Sequence, residues 1–165
     1  MAGLIVVGVD GSQPSRTALR WALAEAELRG ATLRVVHAWR SPYDYELAGA
    51  GDLGPVADDT ALANAARHVL DEALRDLEQD RPGVPIESVL REGDPVDVLC
   101  AEADGAELLV VGAHGHRGFG DALVGSVSGR VAHHCVGAIV IVPDANAARH
   151  AHRRASHAQE STERP

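Results

Sequence analysis

The alternation of short apolar runs with amphipathic stretches is the feature that most constrains how this chain can fold. The runs are rich in Val, Ile and Leu, and several are apolar at nearly every position. Such runs are typical of strands that are buried on both faces of a parallel sheet. The predicted strands are LIVVGVD (4–10), TLRVVHAW (32–39), IESVLRE (86–92), ELLVVGA (107–113) and AIVIVP (138–143).

Amphipathic stretches between these runs predict helices. Ser12 or Gln13 is the expected N-terminal cap of the first helix, and Gly30 is its expected stop. Asp94 is the expected cap of a third, short helix, because a proline follows it at the first helical position. The predicted helices cover residues 15–29, 62–77, a short stretch that begins at Pro95, and 126–134.

The order of strands and helices predicts an α/β fold. Right-handed crossovers favour a single doubly wound, Rossmann-like domain with five parallel strands in the order 3-2-1-4-5 and helices on both faces. We expect this domain to cover residues 1–143, with a long surface loop at 41–59. Residues 144–165 have no apolar period and predict a disordered C-terminal tail.

The charge balance argues against two classes of partner. Fifteen basic residues against 24 acidic ones give a formal net charge of −9, which disfavours nucleic acid and anionic membranes as ligands. The first apolar run is too short to span a membrane, so we expect a soluble cytoplasmic protein. Cys100 and Cys135 lie far apart and outside any CxxC motif, and we expect them to be small buried thiols.

Ligands of doubly wound sheets bind outside the carboxyl ends of the strands, where the strand order reverses. That point lies between the first and fourth strands, so Asp10 and the segment from Gly112 onward are candidates, as are residues 37–39 after the second strand. Asp10 has several possible roles: contact with a ribose hydroxyl, ligation of a metal, nucleophilic attack, or capping of the following helix. A phosphoryl-accepting aspartate favours a second acid two residues on, where this chain has Ser12.

The glycine-rich segment after the fourth strand leads into a helix at Ser126. Free backbone N–H groups at a helix N-terminus attract anions. The lysine of a P-loop is missing, because all fifteen basic residues are arginine, and no G-x-G-x-x-G follows the first strand. A phosphate held here would rely on backbone amides and serine hydroxyls, with or without a divalent metal. The alternative is that the glycines only turn the loop and Ser126 only caps the helix.

Two histidine pairs suggest a metal ligand or a general base. His114 and His116 flank a glycine, and His133 and His134 close the last predicted helix. Neither pair has a carboxylate at ligand spacing or a G-x-S-x-G motif. We expect the first pair to face solvent or phosphate, and the second to interact with the C-terminus of its helix.

The glycine spacing in this segment resembles a known signature. Gly112-x-x-Gly115, nine residues and then Gly125-Ser126 are similar to the G-2x-G-9x-G-[ST] pattern of the ATP-binding branch of the universal stress protein family. The stretches IVVGVDGSQPSRTALRWALAEA, LRVVHAW and GSVSGRVAHHCVGAIVIVP also resemble that family, so the similarity covers about residues 4–143.

The resemblance implies an adenine-nucleotide site. Asp10 would contact the ribose, the backbone at Ala38 would meet adenine, and Ser126 and Ser128 would donate to the terminal phosphates. The ligand implied is ATP, with AMP or ADP as alternatives, together with Mg²⁺ or Mn²⁺ on the phosphates. The remaining candidate site residues are Gly8, Val9, Ser12, Gly112, Ala113, His114, Gly115, His116, Arg117, Gly125 and Val127.

The resemblance also implies a nucleotide-dependent stress-response or signalling protein that forms a homodimer through the strand at 138–142. A slow ATPase or autophosphorylating protein is one alternative, and a dimeric interaction module that binds no nucleotide is another. No catalytic base with a positioned partner is visible, and Arg117 is the arginine nearest to the expected phosphates. The enzyme class is therefore not favoured.

Overall fold

The computed structural model describes residues 3–41, 59–78, 83–114 and 125–143, in which strands and helices alternate. Each predicted element is present, with ends that differ by at most a few residues. Most of the predicted loop at 41–59 and the whole tail at 144–165 lie outside the described residues. The elements are β1 (Leu4–Gly8), α1 (Gln13–Arg29), β2 (Thr32–Trp39), α2 (Asp59–Glu78), β3 (Ile86–Glu92), α3 (Pro95–Glu102), β4 (Leu108–Gly112), α4 (Ser126–His134) and β5 (Ile139–Val142).

The strands form one parallel sheet in the order β3-β2-β1-β4-β5, which confirms the predicted fold class and strand order. From β1 the chain builds outward to β2 and β3, and then crosses back to place β4 on the other side of β1. The direction of winding therefore reverses between β1 and β4. Crossovers leave both of these strands at their carboxyl ends, which opens a crevice there.

Helices cover both faces of the sheet because side chains along a strand alternate in direction. Ile5 and Val7 of β1 belong to the apolar cluster under α1 and α2, whereas Val6 belongs to the cluster under α3 and α4. All three side chains are fully buried. None of the helices in the described ranges has both the length and the apolar character that a membrane span requires.

The helix ends follow the predicted capping residues. Ser12 is the N-cap of α1, where its side chain accepts a hydrogen bond from the backbone N–H of Ser15. Gly30 ends that helix in the left-handed conformation, at a φ of 62°. Asp94 caps α3 by accepting from the N–H of Val96 at 2.8 Å. Each cap supplies a partner for backbone groups that have none within the helix.

The prediction for the two cysteines is wrong. Cys100, in the last turn of α3, forms a disulfide with Cys135, the residue that follows α4, although 35 positions separate them in the chain. Helices α3 and α4 are crossovers on the same face of the sheet, and this brings the two Cα atoms to 4.9 Å. Neither residue belongs to a local spacing motif, so the pairing depends on tertiary structure alone.

The end of β4 lies very close to the first turn of α1. A Cβ atom at Gly112 would be 2.8 Å from the carbonyl carbon of Pro14 and 3.1 Å from the nitrogen of Ser15. Both of these are backbone atoms, so they cannot move aside by changing a rotamer. Glycine at 112 is therefore what permits this helix and this strand to approach each other.

A matched pair of glycine substitutions tests this approach. Gly112→Ala should lower the free energy of unfolding by about 1–3 kcal/mol, because α1 and β4 must separate to admit the methyl group. Gly8→Ala, at the corresponding end of β1, should cost less. Its Cβ would be 3.0 and 3.1 Å from the two terminal methyl groups of Leu99, which can shift. Urea unfolding of the two variants measures the difference, and equal losses would contradict the prediction.

Candidate functional site

The candidate site lies at the carboxyl ends of β1 and β4, where the strand order reverses. β1 continues into Val9 and Asp10, and β4 continues into Ala113 and His114. The two strands are directly hydrogen-bonded neighbours, with Val7 opposite Val110. Residues that sequence reasoning assigned to one site from two distant segments are thus brought to the same edge of the sheet.

The backbone that leads into Asp10 is held by β2. The N–H of Val9 donates to the carbonyl of Val36 at 2.9 Å, and Nδ1 of His37 lies 2.7 Å from the carbonyl oxygen of Val9. A carbonyl oxygen only accepts, so Nδ1 carries the hydrogen in this contact. His37 is buried and positions the end of β1. Sequence reasoning included this histidine in the candidate range 37–39 without giving it a role, and its place in an otherwise apolar run was the available signal.

Asp10 fixes the turn between β1 and α1. Its Oδ1 accepts from the N–H of Ser12 at 3.0 Å, and its own N–H donates to the hydroxyl of Ser15 at 3.3 Å. Gly11 between them has a φ of 80°, a conformation that glycine adopts readily. The helix cap itself is Ser12, so Asp10 does not serve as the cap of α1. A carboxylate has about four acceptor positions, so the turn and a ligand hydroxyl can both be bonded.

The start of α4 is bonded to the end of β4 through Ala113. The carbonyl of Ala113 accepts from the N–H of Gly125 at 2.6 Å and from the hydroxyl of Ser128 at 2.8 Å. Ser128 is 3% exposed, whereas the side chain of Ser126 is exposed. The single hydroxyl hydrogen of Ser128 is thus given to the backbone rather than directed toward a ligand. Ser126 is the hydroxyl that faces outward.

Two helix N-termini flank the end of β4. The first turn of α1 lies against Gly112, and Gly125 at the start of α4 is bonded to Ala113. Neither helix has an acidic residue in its first turn, and the N-cap of α4 is Gly125, which has no side chain to bond the N–H groups of that turn. Each N-terminus carries a partial positive charge together with N–H donors. An anion can therefore be held at this edge by backbone groups, without a lysine.

A Cβ atom at Gly125 would lie very close to backbone atoms of the residues that follow β4. It would lie 3.2 Å from the carbonyl oxygen of Ala113 and 3.3 Å from Cα of His114. The absence of a side chain at this position keeps the start of α4 close to the end of β4. This is a steric reason for glycine at the position that opens the helix.

Two arginines that sequence reasoning did not assign lie near the same edge. Oδ2 of Asp94 contacts Arg40, which follows β2, and Nη1 of Arg130 in α4 at 3.2 Å. The other oxygen of Asp94 caps α3. One carboxylate thus contacts two guanidinium groups. No local sequence pattern predicts this cluster, because its three members come from separate crossovers.

Of the other predicted site residues, one lies in β2 and three lie outside the described residues. Ala38 lies in β2 opposite Arg91 of β3 and is half-buried. Gly115, His116 and Arg117 lie outside the described residues. No group of three or more metal-ligating side chains occurs among the residues that the structure describes.

The last histidine of α4 interacts with its own helix. Nδ1 of His134 lies 2.8 Å from the carbonyl oxygen of Arg130, one turn earlier. This contact confirms the predicted interaction of His134 with the C-terminal turn, and it does not involve the candidate site.

Comparison with known proteins places this geometry in a family. The model of the universal stress protein family matches residues 1–143. Universal stress protein Rv2005c of Mycobacterium tuberculosis is 36% identical over 129 residues, which are 78% of this chain and 41% of that protein. The chain thus spans less than half the length of this curated relative.

Solved structures agree with the fold. A crystal structure of a universal stress protein in complex with cAMP is 28% identical to this chain, with a TM-score of 0.61, and the match covers 86% of this chain and 97% of that one. The structure of protein MJ0577 has a TM-score of 0.70 at 16% identity, covers 87% and 97% of the two chains, and supports the fold alone. With a family model that matches residues 1–143 and these similarities, the chain belongs to the universal stress protein family.

Proposed function

We propose that this protein binds an adenine nucleotide at the carboxyl ends of β1 and β4 and acts as a nucleotide-dependent module in stress response or signalling. The observation that carries the proposal is the position of residues 112–113 between the N-termini of α1 and α4. The related structure described as a complex with cAMP supports an adenine nucleotide as the ligand class. We place the protein in the cytoplasm, where adenine nucleotides are abundant.

The nucleoside half of the ligand is assigned to β1 and β2. The Asp10 carboxylate accepts hydrogen bonds from the ribose hydroxyls, and the backbone at Ala38 meets adenine. Gly8, Val9 and Ser12 shape the wall around them. Because His37 fixes the carbonyl of Val9, the carboxylate that follows is held in position before the ligand arrives. Such preorganisation lowers the entropic cost of binding.

The phosphate half is assigned to α4 and the segment that precedes it. The N–H groups of Ser126 and Val127 and the hydroxyl of Ser126 donate to phosphate oxygens. Ser128 contributes indirectly, since its hydroxyl keeps Ala113 against the helix start. We include His114 and the segment 115–117 in this half of the site because the glycine spacing resembles that of the family.

ATP is the nucleotide that we propose, with Mg²⁺ or Mn²⁺ held by phosphate oxygens and water. These hard cations prefer oxygen ligands, which a triphosphate supplies itself. Binding rather than rapid turnover follows from the chemistry of the described donors, which are neutral amides and a hydroxyl. Measurement of phosphate release beside binding tests that part of the proposal.

Asp10→Asn tests the nucleoside contact. The amide oxygen can still accept from the N–H of Ser12, so the turn is kept while the charge is lost. Hydrogen bonds to charged groups contribute about 1.5–3 kcal/mol, so the affinity for ATP and for AMP should fall roughly ten- to a hundredfold. Isothermal titration calorimetry measures both ligands.

The matched control is Asp104→Asn. Asp104 is exposed and precedes β4, at the opposite edge of the sheet. This variant makes the same chemical change and should bind both nucleotides as the parent protein does. An Asp10→Asn protein with parental affinity would contradict the assignment of Asp10 to the ribose.

Ser126→Glu tests the phosphate contact. A carboxylate at the first position of α4 is favourable for the helix dipole, so stability should be kept, but it occupies and repels the anion site. We expect a loss of about tenfold in affinity for ATP, which is about 1.4 kcal/mol, and no loss for adenosine. An equal effect on both ligands, measured by calorimetry, would count against the placement of the phosphates at α4.

A homodimer through the strand at 138–142 belongs to the same proposal. β5 is an edge strand of the sheet, and Val136 just before it is 95% exposed. An apolar sheet edge favours pairing with a second copy.

Val136→Asp tests the dimer. It should weaken association by about tenfold in sedimentation equilibrium, because a charge is buried at the interface. Leu28→Asp is the control, since Leu28 is an exposed apolar residue of α1 and does not belong to the proposed interface strand. A monomeric parent protein, or equal association of the two variants, would contradict the proposed interface.

A further inference from the structure

Helices α3 and α4 are connected to each other at two points. Asp94, the N-cap of α3, contacts Arg130 in the middle of α4 at 3.2 Å. Near their C-terminal ends, Cys100 and Cys135 form the disulfide. The two links join residues in the same order along both helices, so the helices run in the same direction. One link is ionic and exposed to solvent, whereas the other is covalent.

The disulfide matters to α4 because this helix has few other attachments. It is nine residues long, and an isolated helix of this length is marginal in water. Among the described helices and strands, α3 is its main packing partner. Val131 is its buried apolar anchor, in one cluster with Val96 and Leu99 of α3. Contact with α3 therefore largely determines where α4 lies.

The opposite end of α4 carries the proposed phosphate contacts. Gly125 and Ser128 are bonded to Ala113, and Ser126 is exposed beside them. Main-chain hydrogen bonds close both ends of the helix. At the N-terminal end the N–H of Gly129 donates to the carbonyl of Gly125, and at the C-terminal end the N–H of Cys135 donates to the carbonyl of Val131. Only about two and a half turns of helix separate Cys135 from Ser126.

The two sulfur-bearing residues are accessible to reagents. Cys100 and Cys135 are partly exposed, and residues 132–134 and 136–138 around Cys135 are exposed. Thiol–disulfide exchange requires approach to a sulfur atom, and a bond sealed in the core would resist it. Disulfides in cytoplasmic proteins are usually transient, catalytic or redox-sensing rather than structural.

We infer that the Cys100–Cys135 pair is a reversible oxidation site whose state sets how tightly the protein holds a nucleotide. The inference rests on the proposed function, because the N-terminus of α4 is assigned to the phosphates. The oxidised form keeps α4 against α3 and its N–H groups in place. The reduced form leaves the Asp94 contact, the apolar packing and the hydrogen bonds to Ala113 to hold the helix, without a covalent link at its C-terminal end.

The chemistry requires an oxidant and a reductant of ordinary classes. In oxidation by a hydroperoxide, one thiolate attacks the peroxide oxygen, the O–O bond breaks, and a sulfenic acid forms with release of water or an alcohol. The second thiol then attacks that sulfur, the S–S bond forms, and water leaves. In reduction, a dithiol attacks the disulfide through a mixed disulfide and becomes a disulfide itself, while both protein thiols regain their protons.

Reduction should lower the affinity for ATP by about three- to tenfold. Apparent affinity falls with the fraction of molecules whose binding site is formed, and a frayed α4 is not competent to bind. The fraction of molecules in which α4 is frayed should also appear as faster amide hydrogen exchange in this helix. The N–H of Cys135, bonded to Val131, reports the tethered end, and the N–H of Gly129 reports the first turn.

The experiment compares the full chain oxidised with hydrogen peroxide and reduced with dithiothreitol. Mass spectrometry after thiol alkylation verifies the two states, and ATP affinity and amide exchange are measured in both. The double variant Cys100→Ser, Cys135→Ser serves as the control. It should match the reduced protein in both measurements and should not respond to either reagent. Reduced parent protein provides the same information if the variant does not fold.

The outcomes separate this inference from the proposed function. Weaker ATP binding and faster exchange in α4 on reduction, reversed by peroxide, would support the inference. Equal ATP affinity in both states would overturn it and leave the proposed function standing. If neither state binds ATP, AMP or cAMP, the proposed function fails and the inference fails with it. A response to dithiothreitol in the double serine variant would also overturn it.

Discussion

The burial of β1 on both faces is the constraint on which the rest of this structure depends. Its central residues, Ile5, Val6 and Val7, are inaccessible to solvent and contribute to both apolar clusters. A strand of this kind requires hydrogen-bonding neighbours on both sides and helices above and below. Those requirements bring β2 and β4 to its two edges. The candidate site lies at the carboxyl ends of β1 and β4, where the crossovers that follow these two strands diverge.

Much of the fold could be predicted because its causes are local. Strand apolarity, the Ser12 and Asp94 caps and the Gly30 stop are each specified within a few residues, and all are observed. The Cys100–Cys135 disulfide and the Asp94 ion pairs could not be predicted. Their partners come from different crossovers, and only the packing of α3 beside α4 and the pairing of β2 with β3 bring them within bonding distance.

The candidate site likewise has features that could be predicted from the sequence and features that could not. The glycine spacing and the predicted strand order pointed to the same edge of the sheet, where the observed strand order reverses. The hydrogen bonds of individual hydroxyls do not follow from spacing: Ser126 and Ser128 are two residues apart, yet one is exposed and the other is bonded to Ala113. His37 likewise acts through Val9. Side-chain roles at this edge are decided by what the neighbouring strand presents.

Ala113 joins three elements through main-chain atoms. Its N–H donates to the carbonyl of Val142 in β5 at 2.8 Å, and its carbonyl accepts from Gly125 and Ser128 at the start of α4. A displacement of the edge strand must therefore break one of these bonds or move α4 with it. The edge strand β5 and the start of α4 are thus linked through the main-chain atoms of a buried alanine. This linkage through residue 113 can persist in relatives whose side chains at this edge have diverged, since it is formed largely by the polypeptide backbone.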